Sequence, residues 1–268
     1  MKTLIIILIM MANQVLGQTV INKAVIDDSR AGTVRIISNG GKSSGTGFYI
    51  SNDIIATCFH VVAQISVNNS QNVNFNIYND IQAINEDGEI VTLTCISFPD
   101  NSSPEPLLQD FALLRVNNPT PKKKILALEY STNSDIADNV LFSGYPLGTP
   151  TMVSHVGMIS GITKDKAIIC VQASTNKGNS GGALVNSQGK VIGIISMREG
   201  GISAGLQNYL SQITATEKQG SVEFMGINPL QATKETISVL DTYISTGIGY
   251  ARSIKFMTDY IKKKGIKL

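Results

Sequence analysis

The sequence has no tryptophan, two histidines, three cysteines and almost no excess of basic over acidic side chains. Its 22 Lys and Arg residues against 20 Asp and Glu residues give a formal net charge of +2. That balance is too small to neutralise a nucleic-acid backbone, so general DNA or RNA binding is not expected. The two histidines limit any imidazole chemistry to His60 and His155.

The three cysteines cannot form a disulfide framework. Cys58, Cys95 and Cys170 each lie in a short apolar run, and the simplest interpretation is three buried thiols that behave as small hydrophobic side chains. One disulfide with one free thiol is the lesser alternative. Three thiols without a convergent histidine pattern do not indicate a zinc site, and the sequence implies no metal and no cofactor.

The amino terminus has the features of a targeting segment. Lys2 is followed by the apolar run Leu4–Ala12, and Val15 and Gly17 are small enough for the −3 and −1 positions of a signal-peptidase site. The run is shorter than the roughly 20 apolar residues that span a bilayer, although an uncleaved anchor is the alternative. No later window is long and apolar enough for a membrane helix. Residues 1–17 are therefore predicted to be a signal peptide, and the mature protein is expected to be secreted or periplasmic.

The composition predicts a folded, strand-rich protein. The 268 residues are 43% hydrophobic, enough for a core, and 24 glycines together with many Val, Ile and Thr residues favour strands and tight turns. A polar, proline-containing stretch over residues 117–139 separates two β-rich halves, which we place at residues 18–125 and 126–268. The predicted strands are Thr33–Ser38, Gly47–Ser51, Ile54–Thr57, Val73–Tyr78, Glu89–Phe98, Ala112–Val116, Val140–Gly144, Thr151–Ile162, Ala167–Ala173 and Lys190–Met197.

Helical periodicity interrupts the second half over residues 200–246. Apolar residues recur there with a spacing of three and four, at Leu206, Tyr209, Leu210 and Ile213 and again at Leu230, Ile237, Leu240 and Ile244. Between these two stretches, Val222–Ile227 is compatible with a strand. A terminal helix is predicted over Ser253–Lys262, with Ile254, Met257 and Ile261 facing inward.

One string of residues indicates nucleophilic chemistry: Gly178-Asn179-Ser180-Gly181-Gly182. A serine between glycines on a tight turn exposes its hydroxyl and leaves backbone N–H groups free to bind an oxyanion. Such a serine needs a base, and His60 follows the apolar strand Ile54–Thr57. Asp110, at the start of another apolar run, is suited to orient that base.

Chain order separates two ways of using this serine. The string also matches the G-x-S-x-G motif of α/β-hydrolases, which run serine, acid, histidine along the chain. No histidine follows Ser180, so that class is excluded. The order His60, Asp110, Ser180 is the one used by double β-barrel enzymes.

With these residues the sequence resembles the trypsin-like, chymotrypsin-fold serine peptidases, and within them the Deg (high-temperature-requirement) type. The resemblance extends roughly over Thr33–Gly265 and depends on six motifs in the order of that family. They are Gly45-Thr46-Gly47-Phe48, Thr57-Cys58-Phe59-His60-Val61-Val62, Asp110-Phe111-Ala112-Leu113-Leu114, Gly144-Tyr145-Pro146-Leu147-Gly148, Asn176-Lys177-Gly178-Asn179-Ser180-Gly181-Gly182 and Gly247-Ile248-Gly249-Tyr250-Ala251.

The resemblance implies an all-β fold of two six-stranded antiparallel barrels. The periodicity adds a C-terminal helix and the helical insertion in the second barrel, which is a departure from the family. His60, Asp110 and Ser180 would form a catalytic triad between the barrels, and the N–H groups of Gly178 and Ser180 an oxyanion hole. The protein would then be a serine endopeptidase that acts on polypeptides through an acyl-enzyme. A C-terminal peptide-binding domain, common in the Deg type, is not expected, and oligomer formation is left open.

The resemblance also places a specificity pocket. Ser174, six residues before the nucleophile, would lie at its base, with Ile195, Ser196, Met197 and Gly249 as walls. No acid lies among them, which favours an uncharged side chain of small to medium size, unless Glu199 or Asp241 reaches the pocket from the insertion. Because Asn179 is not an aspartate, activation by an ion pair with a freed amino terminus is excluded.

Three alternatives remain open at the level of sequence. The insertion is either a surface excursion packed on the barrel or a lid beside the pocket. The whole protein could be a catalytically silent binding protein on the same fold. The same nucleophile could also serve an esterase.

Overall fold

The fold was analysed in a computed structural model of the chain. The residues that it describes are 20–67, 73–99, 108–119, 123–131, 133–198, 204–217, 220, 223–243 and 247–268. The predicted signal peptide, residues 1–17, lies outside them. Among the helices of the described residues, none has the length and apolar character needed to cross a membrane.

The described residues of the first half form eight strands: β1 (Thr33–Ser38), β2 (Ser43–Tyr49), β3 (Ile54–Thr57), β4 (Ala63–Val67), β5 (Val73–Ile77), β6 (Gln82–Ile84), β7 (Ile90–Ser97) and β8 (Ala112–Val116). Six of them close an antiparallel barrel in the order β1-β2-β3-β8-β7-β6, while β4 and β5 pair in a separate hairpin. In β7, Val91 and Leu93 are buried and their neighbours are exposed, which is the alternation of a strand with one face on a core.

In the second half, seven strands lie within the part of the chain that the structure describes: β9 (Ala127–Leu128), β10 (Asn139–Gly144), β11 (Val153–Ile162), β12 (Ile168–Gln172), β13 (Ala183–Asn186), β14 (Lys190–Arg198) and β15 (Ile248–Ser253). They are ordered β13-β10-β11-β12-β15-β14-β9, and a further pairing of β13 with β14 closes six of them into a second barrel. The short β9 lies parallel to β14 outside that ring. The predicted architecture of two six-stranded barrels is confirmed.

Among the residues with a described structure, five α-helices accompany the barrels: α1 (Lys23–Ala31), α2 (Phe59–Val62), α3 (Ala204–Glu217), α4 (Pro229–Tyr243) and α5 (Ile254–Lys264). The helical insertion and the terminal helix were predicted, and both are present. The terminal helix α5 begins at the N-cap Ser253 and ends at Gly265, whose φ of 64° is left-handed. It buries Ile254, Met257 and Ile261, the three side chains expected to face inward.

The unpredicted helix α1 links the two barrels. Its N-cap is Asn22, whose side chain accepts a hydrogen bond from the Val25 amide. Near its end, the Arg30 guanidinium pairs with Glu86 of the first half and donates to the Met152 carbonyl of the second, at 3.1 Å.

Two local expectations were wrong. Val222–Ile227 does not form a strand: its described part is a turn, in which an isolated bridge joins Phe224 to Ile227. All three cysteines are free, but only Cys58 is buried, while Cys95 and Cys170 are half-buried. Cys95 lies in β7 and Cys170 in β12, and neighbouring residues cover the side chain of each only partly.

Candidate active site

The Gly178–Gly182 turn lies against the first barrel. Gly178 and Gly181 have φ angles of 99° and 91°, which a side chain would strain. A Cβ atom on Gly181 would lie 2.0 Å from the Thr46 carbonyl oxygen, and the Thr46 amide donates to the Ser180 carbonyl at 2.8 Å. The glycines therefore allow the backbone around Ser180, on the second barrel, to contact strand β2 of the first.

The sequence suggested that His60 lies at the end of a strand, but it lies in the short helix α2. The preceding residue, Phe59, is fully buried and stacks on Phe98 with ring centroids 4.8 Å apart. This anchor leaves the His60 side chain 40% exposed at the boundary between the barrels. Its Nδ1 atom is 2.9 and 3.0 Å from the two carboxylate oxygens of Asp110.

Asp110 occupies a strained position just before β8. Its φ of 43° is unusual for a residue with a side chain, and such strain is found at functional sites. The carboxylate is buried and accepts hydrogen bonds from the His60 amide at 3.2 Å and from the Ser196 hydroxyl. The next residue, Phe111, packs edge-on against Tyr260 of helix α5 with centroids 5.3 Å apart, so the terminal helix supports the acid.

The pKa values of His60 and Asp110 move in opposite directions. Partial burial of the ring acts to lower the His60 pKa, but the charge and hydrogen bonds of Asp110 outweigh this effect, so the pKa rises above its ordinary value. Burial likewise acts to raise the Asp110 pKa, but the His60 charge and the hydrogen bonds from His60 and Ser196 bring it below 3.8. The pair therefore holds a carboxylate against an imidazole that readily accepts a proton.

The Ser180 hydroxyl donates to the Ser196 carbonyl oxygen at 3.0 Å. No hydrogen bond joins it to His60 in the part of the chain that the structure describes. Ser196 thus contacts both sides of the site, with its hydroxyl on Asp110 and its carbonyl on Ser180. Sequence reasoning placed Ser196 in a pocket wall and missed this role, because nothing in the local string shows which way a strand residue faces.

Two amides of the turn are available for an oxyanion. Asn179 N donates to the Asn176 carbonyl at 3.0 Å and Gly181 N to the Ile195 carbonyl at 2.7 Å. The N–H groups of Gly178 and Ser180, in contrast, have no acceptor among the described residues. These are the two donors that the sequence assigned to an oxyanion hole.

Asn179 itself is fully buried, and its side-chain amide has no hydrogen-bond partner within the described residues. A neutral amide is less costly to bury than an unpaired carboxylate would be. The asparagine therefore fits a turn that is formed without a pairing amino terminus.

The predicted specificity residues occupy different environments. Ser174 is exposed, whereas its neighbour Thr175 is buried. Gly249 is packed beneath the Thr175 side chain so closely that a Cβ atom there would lie 2.3 Å from Thr175 Cγ2. Thr175, which the sequence did not single out, fills the space above Gly249.

Ile195 was expected to line the pocket, and this expectation is wrong for its side chain. That side chain is buried in the core of the second barrel with Val171 and Ala251, because alternate residues of a strand face opposite sides. Only its backbone serves the site, by accepting from Gly181 N and Cys58 Sγ. Of Met197, the described part is the backbone, which pairs with Tyr250.

Cys58 completes the interior of the site. Its sulfur and donor atoms of His60 and Asp110 lie within 4.8 Å of one another, a grouping that can hold a metal ion. The thiol, however, donates to the Ile195 carbonyl at 3.2 Å, and burial, followed by the Asp110 charge, raises its pKa well above the ordinary value. In this arrangement the three groups already have partners within the protein: the Ile195 carbonyl for the thiol, and each other for His60 and Asp110.

The other histidine stands apart from this group. His155 lies in β11, stacks on Phe142 at 4.9 Å, and has a pKa lowered by burial. Its contacts are those of a strand residue packed on an aromatic neighbour.

Two antiparallel barrels with a Ser, His and Asp group at their boundary define the class of trypsin-fold proteins. Comparison with known families agrees: the trypsin-like peptidase domain matches residues 45–194, more than half of the chain. The chain belongs to that family.

The relatives found are of the Deg type. Over 161 residues the chain is 34% identical to the magnetosome formation protease MamE of Magnetospirillum gryphiswaldense, a match that covers 56% of this chain and 18% of that protein. It is 29% identical over 169 residues to the putative protease Do-like 14 of Arabidopsis thaliana, covering 59% of this chain and 36% of that one. The chain thus spans well under half the length of either relative.

Solved structures show the same fold. A serine endoprotease from Yersinia pestis superposes with a TM-score of 0.58 at 21% identity, covering 89% of this chain and 64% of that one. A Mycobacterium tuberculosis H37Rv protease in an inactive form gives a TM-score of 0.57 at 18% identity, covering 91% and 94%.

Proposed function

We propose that the protein is a serine endopeptidase in which Ser180 is the nucleophile, His60 the general base and Asp110 its orienting acid. The observation that carries the proposal is the His60–Asp110 pair, with Nδ1 2.9 Å from a buried carboxylate. That contact fixes the imidazole tautomer so that Nε2 faces away from the acid as a proton acceptor. Ser180 lies on a turn whose free amides suit an oxyanion.

The reaction would begin with a change at Ser180. Its hydroxyl leaves the Ser196 carbonyl and turns toward His60 Nε2, which removes the proton as Oγ attacks the substrate carbonyl carbon. The N–H groups of Gly178 and Ser180 hold the oxyanion. His60 then gives its proton to the departing amine as the peptide C–N bond breaks. Water, deprotonated by the same imidazole, hydrolyses the acyl-enzyme and restores Ser180.

The site favours a small uncharged side chain next to the scissile bond. Thr175 fills the space over Gly249, and the nearby acid Asp241 is engaged by Lys177 at 2.8 Å. We therefore propose substrates with Ala-, Val- or Ser-sized residues at that position. Secretion or transfer to a periplasm through residues 1–17 is part of the same proposal.

Hydrolysis of an unfolded protein substrate by the wild type, Ser180→Ala and His60→Ala tests the activity. We expect both variants to lose at least about 10⁴-fold in kcat/KM, because the nucleophile and its base act as a unit. Equal activity in wild type and Ser180→Ala would contradict the proposal. A folded wild type that binds peptides but cleaves no peptide or ester would favour the silent binding protein, and cleavage of esters alone would favour the esterase.

A further inference from the structure

The helical insertion has a small core of its own. Helices α3 and α4 pack through Ile213 and Ile237, which are 3% and 4% exposed, with Leu210 and Leu230 partly buried beside them. At the end far from the barrels, Glu217 and Lys234 form an ion pair at 2.9 Å. The hairpin is therefore closed at its distal half.

Toward the barrel, the described residues leave two apolar side chains exposed, and we call this part of the hairpin its open end. Tyr209 lies one turn from Ile213, and Leu240 one turn from Ile237, on the faces by which the two helices meet. Both nevertheless remain exposed, at 48% and 44%. The packing that covers the distal half of this shared face does not cover Tyr209 and Leu240.

An ion pair places this open end beside the candidate active site. Asp241, the residue after Leu240, accepts from Lys177 Nζ at 2.8 Å. Lys177 immediately precedes Gly178, and its carbonyl accepts from Leu147 N at 2.7 Å, which fixes the backbone there. The surface thus lies within the reach of one lysine side chain from the oxyanion turn. An extended substrate, at about 3.3 Å per residue, meets it within a few residues of the scissile bond.

We propose that Tyr209 and Leu240 form a secondary binding surface for an apolar side chain of the polypeptide substrate, a few residues from the scissile bond. The proposal rests on the proposed function. Continuity with the cleft favours the substrate as occupant.

Paired substrates and variants of the full chain test this surface. One peptide is only long enough to occupy the cleft, and the other is extended by four residues on each side, with Leu or Ser scanned through the added positions. Leu240→Ser and Tyr209→Ser should lower kcat/KM for the Leu-containing long peptide by roughly tenfold, the order expected for one apolar contact. The short peptide should change by less than about twofold, and Tyr209→Phe should behave as wild type.

Val239→Ser is the matched control, because Val239 is 55% exposed and lies about 200° around the helix from Ile237, away from the face that packs on α3. It should cleave both peptides as the wild type does. If Val239→Ser loses as much as Leu240→Ser, or if all long peptides are cleaved equally by every variant, the proposed surface is wrong.

Equilibrium binding of the labelled long peptide in a Ser180→Ala background separates this proposal from the proposed function. If Leu240→Ser weakens binding tenfold while the wild type cleaves nothing, the binding surface is supported and the peptidase activity is contradicted. If binding is unchanged while the wild type cleaves normally, the peptidase activity is supported and the binding surface is contradicted.

Discussion

Ser196 joins the two sides of the candidate site through a single residue. Its hydroxyl donates to the buried Asp110 carboxylate and its carbonyl accepts from the Ser180 hydroxyl. A hydrogen bond to a charged group contributes about 1.5–3 kcal/mol, so the hydroxyl is worth more to Asp110 than an ordinary side-chain contact. The carbonyl, being backbone, persists in any variant of this residue.

Ser196→Ala should therefore remove the hydrogen bond that stabilises the Asp110 carboxylate, while the backbone contact with Ser180 is kept. We expect kcat/KM on a peptide substrate to fall by about tenfold, while phosphonate labelling of Ser180 slows but still occurs. Ser131→Ala removes an exposed hydroxyl that donates to the Glu129 carboxylate at 2.9 Å, outside the candidate site; it is the control and should stay near wild type. Unchanged kinetics in Ser196→Ala would show that the hydrogen bond from Ser196 to Asp110 does not contribute to catalysis.

The pH dependence follows from the His60–Asp110 pair. Activity requires a neutral imidazole, so kcat/KM should rise with pH through the His60 pKa, which the Asp110 charge holds above 6.5. Asp110→Asn removes that charge, and the inflection should move to lower pH while the rate at the plateau falls by about 10⁴-fold. A pH–rate profile of both proteins checks the two effects. An inflection that stays in place or moves to higher pH would contradict the pairing.

The glycines of the Ser180 turn allow the whole turn to pack against strand β2. Gly181 and Gly88 both have left-handed φ angles, 91° and 86°, but a Cβ atom on Gly181 would meet the Thr46 carbonyl at 2.0 Å, whereas Gly88 faces open space. The two positions share the backbone strain and differ only in the contact between barrels.

Gly88→Ala should cost about 1 kcal/mol of unfolding free energy, the price of the left-handed backbone alone. Gly181→Ala should cost clearly more and reduce peptidase activity, because strand β2 and the turn must separate. Denaturant unfolding of the two variants gives the comparison. Equal losses would show that the turn and β2 are less tightly packed than described.

Helix α2 depends on the aromatic group around Phe59. Phe59 is fully buried, stacked on Phe98 and edge-on to Phe75 at 5.2 Å. Phe59→Ala should lower the unfolding free energy by about 3–5 kcal/mol and displace His60, whereas Phe59→Leu should cost under about 1.5 kcal/mol. Denaturation curves with activity measured on the folded fraction test this. A loss below about 1 kcal/mol in Phe59→Ala would contradict it.

The sequence predicted some elements closely and missed others for physical reasons. Strands β1, β3 and β8 begin and end where expected, because their apolar runs are bounded by turn residues. Helix α1 was missed because it is only nine residues long and buries only Val25 and Ser29, too few positions from which to read a helical period. The short β13 was missed because it lies between the serine turn and a second tight turn.

The candidate site was predictable in its residues but not in its contacts. His60, Asp110 and Ser180 were found from chemistry and chain order. Tertiary packing decides that Ser196 faces Asp110, that the Ile195 side chain faces the core and that Thr175 covers Gly249. The domain boundary at residue 125 and the signal peptide remain predictions.

At the scale of the whole molecule, helix α1 ties one barrel to the other. Arg30 pairs with Glu86 and donates to the Met152 carbonyl, and the Ser29 hydroxyl lies 3.0 Å from that of Ser143 on β10. These contacts cross the boundary on which the site is built. We therefore expect the half-buried, bridging Arg30 to contribute more to the free energy of unfolding than an exposed ion pair within one helix does.

Arg30→Met should lower the unfolding free energy by about 1–2 kcal/mol and Tm by roughly 2–6 °C. Lys23→Met removes an exposed pair with Asp27 on the same helix and should change the free energy by less than about 0.5 kcal/mol. Calorimetry of both variants makes the comparison. Indistinguishable Tm values would show that α1 does not bridge the barrels.

The most direct measurement of the central claim is covalent labelling of the folded protein with a fluorophosphonate, followed by mass spectrometry of the adduct. We expect one adduct, on Ser180, which disappears in Ser180→Ala and forms far more slowly in His60→Ala. Its formation should also slow as the pH falls through the His60 pKa. A folded wild type that takes up no label, or an adduct on another serine, would contradict the account.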